Sequence, residues 1–114
     1  MKKIILTVSC LFSLNLYALE ATQCFNSATS IVGLGLNATK ALALCKGALS
    51  SYAVISCFNT ARATFGPNLS EDQAIELCKG TVDKMSPIKC YLRAELGLNK
   101  PLSTEEVLKL CSYR

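Results

Sequence analysis

The segment that decides the fold spans residues 56–80 and reads SCFNTARATFGPNLSEDQAIELCKG. Cys57 and Cys78 stand close to its two ends. FGPN in the middle interrupts any helix, because Gly66 frees the backbone and Pro67 cannot continue a helix. Before this interruption, apolar side chains recur at the spacing of one helix face: Val54, Cys57, Phe58, Ala61 and Phe65. The pattern predicts a first helix with one narrow apolar stripe.

A second helix is predicted after FGPN. Ser70 followed three residues later by Gln73 is the pattern of a capping box, which marks a helix start. The helix is expected to bury Ala74, Ile75, Leu77 and Cys78. It is expected to turn Asp72, Glu76, Lys79 and Asp83 to solvent. The segment therefore reads as an antiparallel pair of helices.

The same pattern occurs three times, with a period of about 33 residues that is typical of stacked supersecondary units. This repeat spacing separates Cys24, Cys57 and Cys90, and it also separates Cys45, Cys78 and Cys111. An aromatic residue follows the first cysteine each time, at Phe25, Phe58 and Tyr91, and an alanine keeps the same spacing at Ala28, Ala61 and Ala94. The sequence therefore predicts an all-α domain over residues 19–114. Its three tandem α-hairpins, at about 20–52, 53–85 and 86–114, would form a short solenoid or a compact helical bundle.

Helix boundaries repeat with the same spacing. Ser103 and Glu106 form a second capping-box pattern, whereas Asn37 is followed by Lys40 and predicts a weaker start. Glycines at 47 and 80 suit helix ends, and a proline at 87 suits a first helical turn.

The six cysteines that recur with the repeat spacing predict a disulfide framework. In an antiparallel hairpin the start of the first helix lies beside the end of the second, which favours Cys24–Cys45, Cys57–Cys78 and Cys90–Cys111. The rival pairing joins neighbouring units through Cys45–Cys57 and Cys78–Cys90, and it leaves Cys24 and Cys111 at opposite ends of the stack. One bond per hairpin uses all six cysteines.

Residues 1–18 resemble a secretory signal peptide. Lys2 and Lys3 precede an apolar run of about 13 residues, shorter than the roughly 20 of a spanning helix. Cleavage is expected after Ala18, with Ala21 as the alternative. Lipidation at Cys10 is disfavoured because the residues before it make a poor lipobox. The chain is thus expected to be secreted or periplasmic, where disulfides persist.

Charge and composition exclude several functions. The whole chain carries a net charge of +4, and removal of Lys2 and Lys3 leaves 10 basic and 8 acidic residues, or about +2. This charge is too small to predict binding to nucleic acid or to an anionic membrane.

The sequence contains no catalytic constellation. Histidine, the commonest general base and metal ligand, is absent. The cysteine spacing does not match the CxxC pairs of zinc sites or redox enzymes. The glycine-rich stretch VGLGLN at residues 32–37 is interpreted as a hairpin loop, since it lacks the pattern of a phosphate-binding loop. No catalytic residue, cofactor or metal is predicted, and the chain is not expected to be an enzyme.

Two functions remain open. The first is a protein-binding or structural module, with an unidentified protein as partner and with self-association through the uncapped ends of the stack. Positions that vary between units, such as Asn26/Asn59/Leu92 and Ser27/Thr60/Arg93, would form its surface. The alternative is a small secreted carrier of lipid or another apolar ligand. An effector or inhibitor that acts outside the cell would have the same sequence features as the first.

Overall fold

The computed structural model describes residues 19–112. The predicted signal peptide, residues 1–18, lies outside the described residues. Within them the protein is all-helical, as predicted, with no strand. Its six helices are α1 (19–29 of the described part), α2 (Ala38–Cys45), α3 (Ser51–Arg62), α4 (Glu71–Cys78), α5 (Ser86–Leu96) and α6 (Thr104–Cys111).

The helix starts follow from the capping residues. Ser70 and Ser103 form complete capping boxes with Gln73 and Glu106, which confirms both predictions. Asn37 accepts a hydrogen bond from the Lys40 amide at 2.8 Å, without the reciprocal bond of a capping box. These oxygens satisfy backbone amides that have no partner inside the helix.

Three disulfides join the helices two by two. Cys24 is bonded to Cys45, Cys57 to Cys78 and Cys90 to Cys111, with Cα atoms 5.5 to 5.7 Å apart. These are the pairs of the one-bond-per-hairpin prediction. Each bond closes the end of a hairpin opposite its loop.

The hairpins pack against one another in chain order. α2 contacts α4 and α4 contacts α6, while α3 contacts α5. All of these helices contribute to one continuous core. Small side chains let the helices approach closely, since Ala28, Ala41, Ala61 and Ala74 are fully buried. The structure is therefore compact, and its finer description as a repeat solenoid stays a prediction.

The first two hairpin loops have similar backbone conformations at equivalent positions. Gly35 and Asn68, at equivalent positions of consecutive hairpins, both have a positive φ, at 66° and 55°. Gly33 and Gly66 approach the backbone of the preceding helix so closely that a Cβ atom at Gly66 would lie 2.5 Å from the Thr60 carbonyl oxygen. The third loop differs because Pro101 occupies the position of Asn68, and proline cannot adopt a positive φ.

One prediction about the core is wrong. Phe65 was expected on the buried stripe of the first helix of its unit, but α3 ends at Arg62 and the Phe65 side chain is 89% exposed. The helix stops early because the chain turns at residues 63–66, where the Gly66 amide donates to the Ala63 carbonyl at 3.0 Å.

Candidate interaction surface

The shortest ion pair among residues 19–112 joins the first and second hairpins. Lys40 Nζ lies 2.7 Å from Glu71 Oε1 and 3.8 Å from Asp72 Oδ1. The hydrogen bond between Lys40 and Glu71 raises the pKa of Lys40 and lowers the pKa of Glu71. Because Lys40 and Glu71 both lie in first helical turns, the pair shows that α2 and α4 begin side by side. Its role is structural.

Other polar side chains complete helix ends. Asp83 accepts hydrogen bonds from the Met85 amide at 2.9 Å and from Ser86 Oγ at 2.7 Å, and these bonds lower the pKa of Asp83. Glu20 of α1 accepts from the Ser51 amide at 2.7 Å and so caps α3 in the next hairpin. These carboxylates are used to satisfy backbone groups.

Tyr52 at the start of α3 contacts Lys84 in the segment between α4 and α5. Lys84 Nζ donates to the Tyr52 hydroxyl at 3.0 Å and lies 5.3 Å from the centre of its ring. This hydrogen bond lowers the pKa of Tyr52. The geometry is that of a cation–π contact at an exposed site. The contact holds this segment against α3.

The six cysteines predicted as site residues all lie in disulfides. The bonds indicate an oxidising extracellular or periplasmic environment. Among the described residues, no group of three or more cysteine, aspartate and glutamate side chains is placed to hold a metal ion.

A row of apolar side chains lies on the three hairpin loops. Val32, Phe65 and Leu98 occupy one position of the repeat and are 96%, 89% and 39% exposed. Ile31 and Leu96 extend this loop row and are also largely exposed. Single exposed apolar residues are common on protein surfaces, whereas here they recur at one position of adjacent loops.

The three loops lie at the same end of the molecule. The Lys40–Glu71 pair places the start of α2 beside the start of α4. A groove between α4 and α6 is lined by Asp72 and Gln73 from one helix and by Glu105 from the other, so these helices also begin side by side. Since each of these helices follows a loop directly, the three loops lie along one edge of the molecule.

Two further apolar surfaces lie at the ends of the stack. We name the first the front face, which consists of Ala21, Thr22, Phe25, Leu42 and Lys46. We name the second the back face, which is centred on Leu110 of α6, a side chain that is 58% exposed. The front face belongs to the first hairpin and the back face to the third.

Sequence reasoning missed the loop row although its signal was present. Val32 belongs to the stretch interpreted as a hairpin loop, and Phe65 holds the equivalent position of the next hairpin. The repeat spacing would have placed Phe65 in a loop, but the helical spacing was followed and placed it on the stripe. The positions that vary between units were predicted to form surface. Thr60 is partly exposed, and the other five are exposed: Asn26, Asn59, Leu92, Ser27 and Arg93.

A surface pocket of about 440 Å³ lies where the third hairpin meets the segment before it. Its walls include Thr81, Val82, Pro87 and Cys111. Thr81 is buried and its hydroxyl donates to the Asp83 carbonyl at 2.7 Å. The Thr81 hydroxyl in the wall of the pocket is thus already hydrogen-bonded within the protein.

Among residues 19–112, no helix has the length and hydropathy needed to cross a bilayer.

The fold defines a small, disulfide-rich helical protein, consistent with an extracellular cysteine-rich module. Comparison of the chain with protein-family models, with curated proteins and with solved structures found no match.

Proposed function

We propose that the protein is a non-enzymatic binding module, exported to the periplasm or beyond the cell, that contacts another protein through its loop row. The observation that carries this proposal is the alignment of Val32, Phe65 and Leu98 on adjacent loops. Interaction sites on small proteins commonly combine exposed apolar side chains with a charged border.

The border of the loop row suggests the chemistry of the partner. α4 and α6 each begin with two acidic residues directly after their loops, Glu71 and Asp72 in one and Glu105 and Glu106 in the other. Lys40 neutralises part of this charge. A partner with an apolar patch flanked by basic side chains complements this surface, whereas an anionic membrane would be repelled.

The absence of an enzymatic activity is part of the proposal. It is supported by a sequence without histidine and by carboxylates that serve as helix caps or ion-pair partners. An oxidising compartment further favours a module whose cysteines are structural.

Photocrosslinking tests the proposal in the cell that makes the protein. A photoreactive amino acid at position 65 is expected to give one dominant adduct of constant mass. The matched control is position 52. Tyr52, like Phe65, is an exposed aromatic residue, but it lies at the start of α3, near the disulfide end of the hairpin. The double variant Val32→Ser/Phe65→Ser should lose co-purification of the crosslinked protein, and Tyr52→Ser should retain it.

Two outcomes would reject this function. One is equal crosslinking from positions 52 and 65, which would indicate random collision. The other is stoichiometric binding of a fluorescent fatty acid that lipid displaces, with no protein adduct, which would support the alternative of an apolar-ligand carrier.

A further inference from the structure

Leucine or isoleucine occupies one position in the second helix of every hairpin, but its burial differs. Leu42 is 60% exposed on the front face, whereas Ile75 and Leu108, at the same position of the next two hairpins, are buried. The aromatic of the first helix behaves similarly, since Phe25 is partly exposed and Phe58 and Tyr91 are buried. These side chains are covered only where a hairpin precedes their own.

The opposite trend occurs two residues later. Leu44 and Leu77 are fully buried, while Leu110 is 58% exposed on the back face. α2 packs on α4, and α4 packs on α6. The side of one hairpin that carries Leu44 or Leu77 therefore covers the side of the next hairpin that carries Ile75 or Leu108.

Adjacent hairpins thus pack through the same two sides at both internal junctions. The front face and the back face are the two such sides that have no neighbouring hairpin. We propose that a second copy of the chain stacks head to tail, with its front face on the back face of the first. Leu110 and Leu42 then take the places that Leu44 and Ile75 hold at the first internal junction. This inference does not depend on the proposed function of the loop row.

The front and back faces are different surfaces, so the contact is heterologous and leaves one free face on each end of a dimer. Two variants exploit this asymmetry. Leu42→Arg blocks only the front face, and Leu110→Arg blocks only the back face. Both side chains are mostly exposed, so the fold should tolerate the substitutions.

Sedimentation equilibrium on the oxidised protein, purified from the exporting cell, gives the test. The average mass of the wild-type protein is expected to rise with concentration, past that of a dimer. Each variant alone should remain a monomer. An equimolar mixture of the two should form dimers and nothing larger, because one intact front face meets one intact back face. The control Leu49→Arg, at a residue of similar exposure outside both faces, should behave as the wild-type protein does.

Three results would overturn the inference. They are a monomeric wild-type protein at all concentrations, self-association of either single variant, or a mixture that stays monomeric. Circular dichroism of each variant identifies loss of the fold. None of the substituted residues belongs to the loop row, so these failures are distinct from a failure of the proposed function.

Discussion

Leu77 and Leu110 occupy the same position of consecutive hairpins, yet Leu77 is fully buried and Leu110 is 58% exposed. The difference reflects the neighbour on each side. α4, which carries Leu77, is covered by α6, whereas α6 is the last helix among the described residues.

Leu77→Ala is therefore expected to lower the free energy of unfolding by about 2–5 kcal/mol, since it leaves a cavity in the core. Leu110→Ala should lower it by less than about 0.5 kcal/mol, because the side chain already contacts water. Urea unfolding of dilute monomer, followed by circular dichroism, measures both. Equal effects at the two positions would contradict the stacking described for α4 and α6.

Removal of the central disulfide should destabilise the protein strongly. The sequence separation of 21 between Cys57 and Cys78 gives a loss of about 3 kcal/mol for Cys57→Ser/Cys78→Ser by the chain-entropy model. Thermal unfolding of the variant and of the oxidised wild-type protein provides the comparison. A variant as stable as the wild-type protein would show that packing alone holds the second hairpin together.

At position 68 of the second hairpin loop, glycine should preserve the stability of the protein and proline should lower it. Asn68 has a positive φ of 55°, which glycine adopts freely and proline cannot adopt. Asn68→Gly, which copies the first loop, is expected to change the unfolding free energy little. Asn68→Pro, which copies the third loop, should cost more than about 1 kcal/mol. Thermal unfolding that ranks the two variants in the reverse order would show that the loop does not hold this backbone conformation.

Acid should weaken the hydrogen bonds that Asp83 accepts just before α5. Hydrogen bonds from the Met85 amide and from Ser86 lower the pKa of Asp83 in the folded state. The folded protein thus binds this proton more weakly than the unfolded chain does. The ionised carboxylate stabilises the fold above its ordinary pKa of about 4, and this stabilisation is lost as the pH falls below that value.

Asp83→Asn keeps an oxygen that accepts the Met85 amide but removes the titrating group. Its urea midpoint is expected to fall less than that of the wild-type protein as the pH is lowered from about 6 to about 2. Glu106→Gln should show the same trend, since hydrogen bonds from the Ser103 amide and hydroxyl lower the pKa of Glu106. Parallel pH profiles of all three proteins would exclude these carboxylates as a source of acid sensitivity.

Much of the fold was predictable because the evidence was local and repeated. The capping boxes at Ser70 and Ser103 depend on residues three positions apart. The pairing of Cys57 with Cys78 followed from the antiparallel geometry of one hairpin, which the regular repeat then extended to the other two.

The surfaces were harder to predict, because exposure depends on tertiary neighbours. Leu44 and Leu110 have equivalent sequence contexts, but only the structure shows that one is covered and the other is not. Phe65 fits a helical stripe by spacing alone, and the early end of α3 at Arg62 moves it to the surface. The ion pair of Lys40 with Glu71 joins residues 31 apart, beyond the reach of any local pattern.

Each disulfide lies within its own hairpin, and none of the three crosses from one hairpin to the next. A mechanical force applied to the two ends of the described chain would pass through the sulfur atoms and would bypass the loops. Between Cys24 and Cys111, only residues 46–56 and 79–89 would then bear tension along their backbone. Stretched in its oxidised state, this part of the protein would lengthen within these two segments, whereas the reduced chain would extend throughout.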